Sequence, residues 1–162
     1  HDQVEALSLA DRMAVMNAGR LAALGTPMEL YHRPPNRFCA DFLGEANTLV
    51  GHVTGGQPGR TTLDTPLGHW ECADPVPPPT GSRPHVIFRP EAIRPAAGGV
   101  TGNRFEATVI AIRPQGATLA VTLQAGAHTL RATLLNDPSL PLQPGRTAAW
   151  VVPVENTITV SA

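Results

Sequence analysis

Apolar positions keep a helical spacing at the start of the chain and then, after a short mixed stretch, alternate with polar ones over most of the remainder. Val4, Leu7 and Ala10 fall three apart with Glu5 and Ser8 turned away, so residues 2–10 read as a short helix that Asp2 can cap. Met13 and Val15 alternate with Ala14 and Met16, and the apolar run returns at residues 21–24 after Asn17-Ala18-Gly19. That pattern predicts a hairpin with Gly19 at the positive-φ position. Thr26-Pro27 opens a second helix, halted by Pro34-Pro35. Asn36 caps a third, whose covered side is expected to be Phe38, Ala40 or Asp41, and Phe42, before Gly44 ends it.

Beyond Glu45 the period is two. Residues 47–54 read as one alternating strand, Gly55-Gly56 and Pro58-Gly59 as a turn, and 61–64 and 67–72 as short strands. Residues 74–83 carry prolines that lack donors, which makes them an extended loop. A strand over 85–89, with Val86 and Phe88 on one face, runs into Pro90-Glu91-Ala92-Ile93-Arg94. The Gly-containing residues 96–103 connect two halves. Residues 105–113 predict a long strand with Phe105, Ala107, Val109 and Ala111 on one side, followed by strands at 118–124, 128–135, 148–152 and 157–160. Short strands between regular turn signals argue for a mainly β chain built as a small Greek-key barrel.

Composition narrows the function. The net charge of −1 and an aromatic content of 4% leave neither a basic face nor enough stacking platforms for nucleic acid. No apolar run approaches the roughly 20 residues of a spanning helix, which predicts a soluble chain. Cys39 and Cys72 stand in unlike contexts, which argues against a disulfide framework and for a cytoplasmic compartment. The chain has no lysine, and no Gly-x-x-x-x-Gly-Lys-[Ser/Thr] run to cradle phosphates, so it is not expected to hydrolyse ATP. It begins without methionine and reads as a piece of a longer or engineered protein.

The ordered series His1-Asp2-Gln3-Val4-Glu5-Ala6-Leu7-Ser8-Leu9-Ala10-Asp11-Arg12, Asn17-Ala18-Gly19-Arg20 and Gly25-Thr26-Pro27 resembles the end of an ABC-transporter nucleotide-binding domain from its switch histidine onward. Residues 26–45 continue the likeness to importers that carry an extra barrel. Phe42-Leu43-Gly44-Glu45-Ala46-Asn47 and Phe88-Arg89-Pro90-Glu91-Ala92-Ile93 resemble the start and the middle signature of that barrel, the OB-like TOBE domain. From Gly98 on, the likeness rests on strand pattern. The resemblance implies a remnant of the nucleotide-binding domain over residues 1–45, a small α+β piece, and an OB-like TOBE barrel over 46–162. It implies a parent that is the ATP-hydrolysing subunit of an importer, using ATP and Mg, cytoplasmic and peripheral on the inner face of the membrane. Its partners would be permease subunits and a second copy. The solute would be a polyamine, ferric iron or a phosphonate, and the barrel a regulatory and dimerisation region. No cofactor is expected in this chain alone.

Candidate chemistry is sparse. The resemblance makes His1 the switch histidine that contacts the γ-phosphate in the parent, inactive here. Asp2 and Glu5 suit the positive end of a helix. His69 and Cys72, three apart on a strand, point to opposite faces and are not expected to share a metal. Arg89 and Glu91 are expected either to pair with each other or to bind a small anion. Arg113, on a turn over 113–116, is an exposed base that a partner can touch. A rival reading makes the barrel an oxyanion sensor with a concave site rimmed by Arg89, Arg94 or Arg113, and another makes the chain a free-standing interaction protein. The hairpin, as the edge of a larger sheet, is expected to drive self-association by strand pairing or segment exchange.

Overall fold

The computed structural model describes residues 10–96 and 99–161, so His1, Asp2, Glu5 and nearly all of the helix expected over 2–10 lie outside the described residues. The hairpin forms as β1 (Met13–Asn17) and β2 (Arg20–Gly25), with Val15 opposite Ala23. Ala18 at φ 47° and Gly19 at φ 76° both turn left-handed, the backbone that two-residue hairpin loops require. Helix α1 (Pro27–His32) opens on a full capping box, in which Thr26 Oγ1 accepts from Glu29 N and Glu29 Oε2 accepts from Thr26 N. Asn36 caps α2 (Arg37–Phe42) through Cys39 N at 2.9 Å.

The covered side of α2 differs from the sequence expectation. Cys39 and Ala40, with Leu43 just beyond, are buried, while Phe38 and Phe42 are 36% and 42% exposed and stack on each other with centroids 5.7 Å apart. Small side chains face inward because the helix seats directly on a sheet, with Ala40 packed among Ile87, Ile158 and Val160. The two rings, one turn apart, satisfy each other outside.

The β region repeats one backbone plan. In its first half β3 (Asn47–Val50) and β4 (His52–Gln57) lead into a meander with β5 (Arg60–Thr65) and β6 (Gly68–Cys72). A proline-rich loop, β7 (His85–Phe88), a 3-10 turn over Pro90–Ala92 and β8 (Arg94–Pro95) follow. In the second half β9 (Asn103–Gln115), β10 (Thr118–Ala125) and β11 (His128–Leu135) make the meander, and β12 (Thr147–Val152), a 3-10 turn over Val154–Asn156 and β13 (Thr157–Val160) complete it. The halves exchange their ends: β13 pairs with β7, and β8 pairs with β12. Asn47 lies opposite Phe88 as Asn103 lies opposite Val152. Val53 donates to Ser82 O and accepts from Gly81 N, and Val109 makes the same two bonds with Arg146 and Gly145. One extra residue, Thr54 in β4 and Ile110 in β9, bulges at equivalent points.

Two local expectations are corrected by this plan. Residues 47–54 are two strands, because β3 pairs with β7 and β4 with β5, and the change of partner falls at Gly51, where a Cβ would collide with Leu63; Gly55 and Gly56 belong to β4 and the turn is at Pro58-Gly59. On β9 the bulge at Ile110 reverses the alternation, so Ile112 rather than Ala111 packs against the core.

The meanders curl into an OB-like barrel around one apolar cluster drawn from both halves. Its centre is Trp70, with Phe88 and Phe105 at 5.3 and 5.9 Å, alongside Trp150, Leu63 and Leu123. Reciprocal asparagines close the seams. Asn47 Oδ1 accepts from Arg131 N and its Nδ2 donates to Arg131 O, both at 2.8 Å. Asn103 makes the matching pair with Glu71, at 2.7 and 2.8 Å. A primary amide offers the same donor and acceptor as a strand residue, so each asparagine takes the place of a neighbouring strand at the edge of the other half.

Asn103→Ala would leave the Glu71 N–H without its acceptor and the Glu71 C=O with the Thr157 hydroxyl alone, and a loss of about 1–3 kcal/mol is expected. Urea unfolding measures it, and Asn47→Ala should cost a similar amount.

Candidate functional site at the junction of helices and barrel

Arg89 follows β7 and precedes the 3-10 turn, in extended backbone at φ −82° and ψ 153°. Pro90 opens that turn, and the arginine side chain is directed away from the barrel core into the base of the two helices. Its exposure is 6%. There it answers the carbonyls that short helices leave unpaired at their ends. Nε and Nη2 donate to Tyr31 O at 3.2 and 2.9 Å, and Nη1 donates to Ala40 O, Gly44 O and Glu45 O at 2.9, 3.0 and 3.2 Å. One guanidinium therefore ties the end of α1, the last turn of α2 and the link into β3 to the barrel. A cation at the negative ends of two helices is also favoured by their dipoles. Burial lowers the Arg89 pKa, opposed by Tyr31 and Glu91, but a guanidinium stays charged.

Tyr31 completes the junction. Its ring lies under the guanidinium, 4.2 Å from centroid to Cζ, and its hydroxyl donates to Glu91 Oε1 at 2.8 Å. Gly44 sits against it: a Cβ there would come within 3.2 Å of Tyr31 Cε2, and its φ of 151° disfavours side chains. Burial first, then the hydrogen bond to Glu91 and the charge of Glu91, push the phenol up to about 12 from 10.0. Arg131 Nε reaches Glu45 Oε1 at 2.6 Å, but both side chains are more than half exposed, so this pair adds little.

The candidate residues distribute as follows. His1 lies outside the described residues. Arg89 and Glu91 meet at one place but do not pair directly; Tyr31 stands between them, since the backbone carbonyls take the guanidinium and the phenol takes the carboxylate. Arg94 faces the same cavity as both. Arg113 lies apart, exposed near the end of β9, where it lines a small separate cavity with Glu45 and Arg131; the turn there is Gly116-Ala117, two residues later than expected. His69 is exposed, 2.9 Å from Asp64, whereas Cys72 is in the core, on the opposite face.

The cavity encloses about 310 Å³ between residues 31–34 and the two 3-10 turns, and Arg33, Glu91, Arg94 and Glu155 present charges to it. Sequence reasoning missed Tyr31 and Glu155. The available signals were that Tyr31 is the chain's single tyrosine, and that Pro153-x-Glu155 echoes Pro90-Glu91.

Arg89→Met is expected to cost about 2–4 kcal/mol, because several carbonyls lose their donors together, and Arg89→Lys should not rescue it, since an ammonium lacks the fork. Chemical denaturation measures both. A phenol whose folded pKa is raised stabilises the fold fully below pH 10 and loses that contribution as pH rises through about 12. With a single tyrosine, the tyrosinate absorbance should titrate near 12 in the native chain and lower in Glu91→Gln, with the part due to burial retained.

Comparison with known proteins agrees with this arrangement. Residues 86–157 match the TOBE domain family. The chain is 32% identical over 159 residues to PhnT of Salmonella paratyphi A, named as a candidate 2-aminoethylphosphonate import ATP-binding protein, covering 94% of this chain and 42% of that one. It is 43% identical over 93 residues to the spermidine/putrescine import ATP-binding protein PotA of Pseudomonas fluorescens, covering 56% and 25%. The cytoplasmic molybdate-binding protein ModG, solved with molybdate bound, superposes with a TM-score of 0.60 at 16% identity over 72% of this chain and 96% of that chain, a likeness of fold alone. The chain spans about two fifths of the length of the first of these relatives. It contains a TOBE domain and is homologous to the C-terminal region of the ATP-binding subunits of ABC importers in the polyamine and phosphonate branch.

Proposed function

We propose that this chain is the C-terminal regulatory and dimerisation region of an ABC importer's ATP-binding subunit, with residues 1–45 ending the nucleotide-binding domain and 46–162 forming the TOBE barrel. In the whole subunit His1 is the switch histidine, ATP and Mg are the cofactors, and permease subunits and a second copy are the partners. The subunit is cytoplasmic and peripheral on the inner face of the membrane. The solute is a polyamine, ferric iron or a phosphonate; the names of the relatives support the polyamine and phosphonate readings. Without a phosphate-cradling loop this chain does not turn over nucleotide by itself.

The observation that carries the bracing role is the Arg89 clamp, because it joins carbonyls of the nucleotide-binding remnant to the barrel through one side chain. In a complete subunit assembled with its permease, Arg89→Met should lower solute uptake per ATP hydrolysed while hydrolysis continues. Unchanged coupling, in a variant that still melts cooperatively, would refute the brace.

Self-association belongs to the same reading. Met16, Leu21 and Leu24 on the outer face of the hairpin are 53%, 58% and 55% exposed, and Met28 on α1 is 64% exposed. Light scattering of this chain should give a dimer mass that falls to the monomer value in Leu21→Glu/Leu24→Glu. The cavity beside Arg89 favours a second reading, in which a small ligand adjusts the brace.

A further inference from the structure

The cavity between residues 31–34 and the barrel has a charge pattern that the brace uses only in part, through the Tyr31 hydroxyl on Glu91. Arg33, Arg94, Glu91 and Glu155 face it, and among the described residues none of the four belongs to an ion pair. Arg89, nine-tenths buried, lines the same space. Of its five N–H groups, one on Nη2 has no acceptor among the described residues once the carbonyl bonds are assigned. The backbone duplication explains why two carboxylates converge here. Glu91 and Glu155 hold equivalent places in the two 3-10 turns, and the pairing of β7 with β13 sets Phe88, just before the first turn, opposite Thr157, just after the second.

We propose that this cavity binds a small zwitterion, a molecule with an ammonium at one end and an oxyanion at the other; the inference rests on the ligand-sensing reading. Its volume of about 310 Å³ is at the low end for small-molecule sites, which suits a ligand of few heavy atoms. A bare oxyanion would meet two carboxylates, and a bare amine would meet the guanidiniums. A zwitterion gives each sign a partner: the oxyanion end takes the free Arg89 donor with Arg33 and Arg94, and the ammonium end takes Glu91 and Glu155. The larger cavity, about 510 Å³, lined by Pro77, Pro78, Pro79 and Val160, has only Arg83 to orient a charge. Because one wall belongs to the helical segment and the other to the barrel, an occupant would hold the two together and raise the melting temperature by mass action.

Calorimetry on this chain with 2-aminoethylphosphonate as the probe, and with methylphosphonate and ethylammonium as its two halves, tests the proposal. Expected are saturable heat with the zwitterion, at least about tenfold weaker binding of each half, and a loss of about tenfold in Glu155→Gln and in Arg94→Gln, equivalent to about 1.4 kcal/mol. Both altered side chains are exposed, so both variants should melt like the parent chain. No saturable heat, a half-molecule binding as tightly as the whole, or parental affinity in both variants would overturn the site. Binding that leaves ATP hydrolysis by the complete subunit unchanged would support the site and overturn the sensing role.

Discussion

A buried guanidinium with nowhere to go but a set of backbone carbonyls holds this molecule together at its most demanding point. Two helices of six residues each cannot satisfy their own ends, and a small barrel offers few places to anchor them. Arg89 resolves both difficulties, because the charge it must bury is the charge the helix ends lack. Tyr31 then covers the guanidinium and passes the contact on to Glu91. The cost of desolvating the cation is offset by donors that nearly all find acceptors, a balance that a lysine or a neutral side chain would not reach.

The barrel meets the opposite difficulty. Its halves are alike in backbone but not in sequence, and each must close on the other without a continuous ladder at the seam. Asn47 and Asn103 do this by imitating strand residues. The exchange of β8 and β13 makes the arrangement reciprocal, so neither half has a complete set of partners alone. Trp70 from one half and Phe105 from the other meet in the same core, which places the hydrophobic driving force across the seams rather than within each half.

Much of this was legible in the chain. Thr26-Pro27, Asn36 and Gly19 mark caps and a turn through side-chain chemistry that acts over three or four residues, and alternation exposes the strands because one face of each is covered. Phe38 and Phe42 misled, since hydrophobicity alone suggests burial, whereas the approach of α2 to the sheet admits only Cys39 and Ala40. The reversal at Ile110 was hidden because a bulge leaves no compositional mark. The duplication was hidden too: it is carried by backbone bonds at Val53 and Val109 and by amides 56 residues apart in number, as the positions Asn47 and Asn103 read, with almost no shared side chains. At the junction, Arg89 and Glu91 stood out as charges, but their partners are distant carbonyls and a phenol, which no local pattern announces.

The asparagine seams have a mechanical consequence. A ladder parts only by unzipping residue after residue, whereas the seams here are held largely by side chains: Asn47 on Arg131 at one, and Asn103 and Thr157 on Glu71 with Asp74 on Thr159 at the other. The halves thus meet along two lines of sparse backbone pairing, while the curved sheets on either side keep continuous ladders. Since β7 and β13 bridge the halves, and Arg89 leaves from the end of β7, a gape at one line is delivered straight to the foot of the helices.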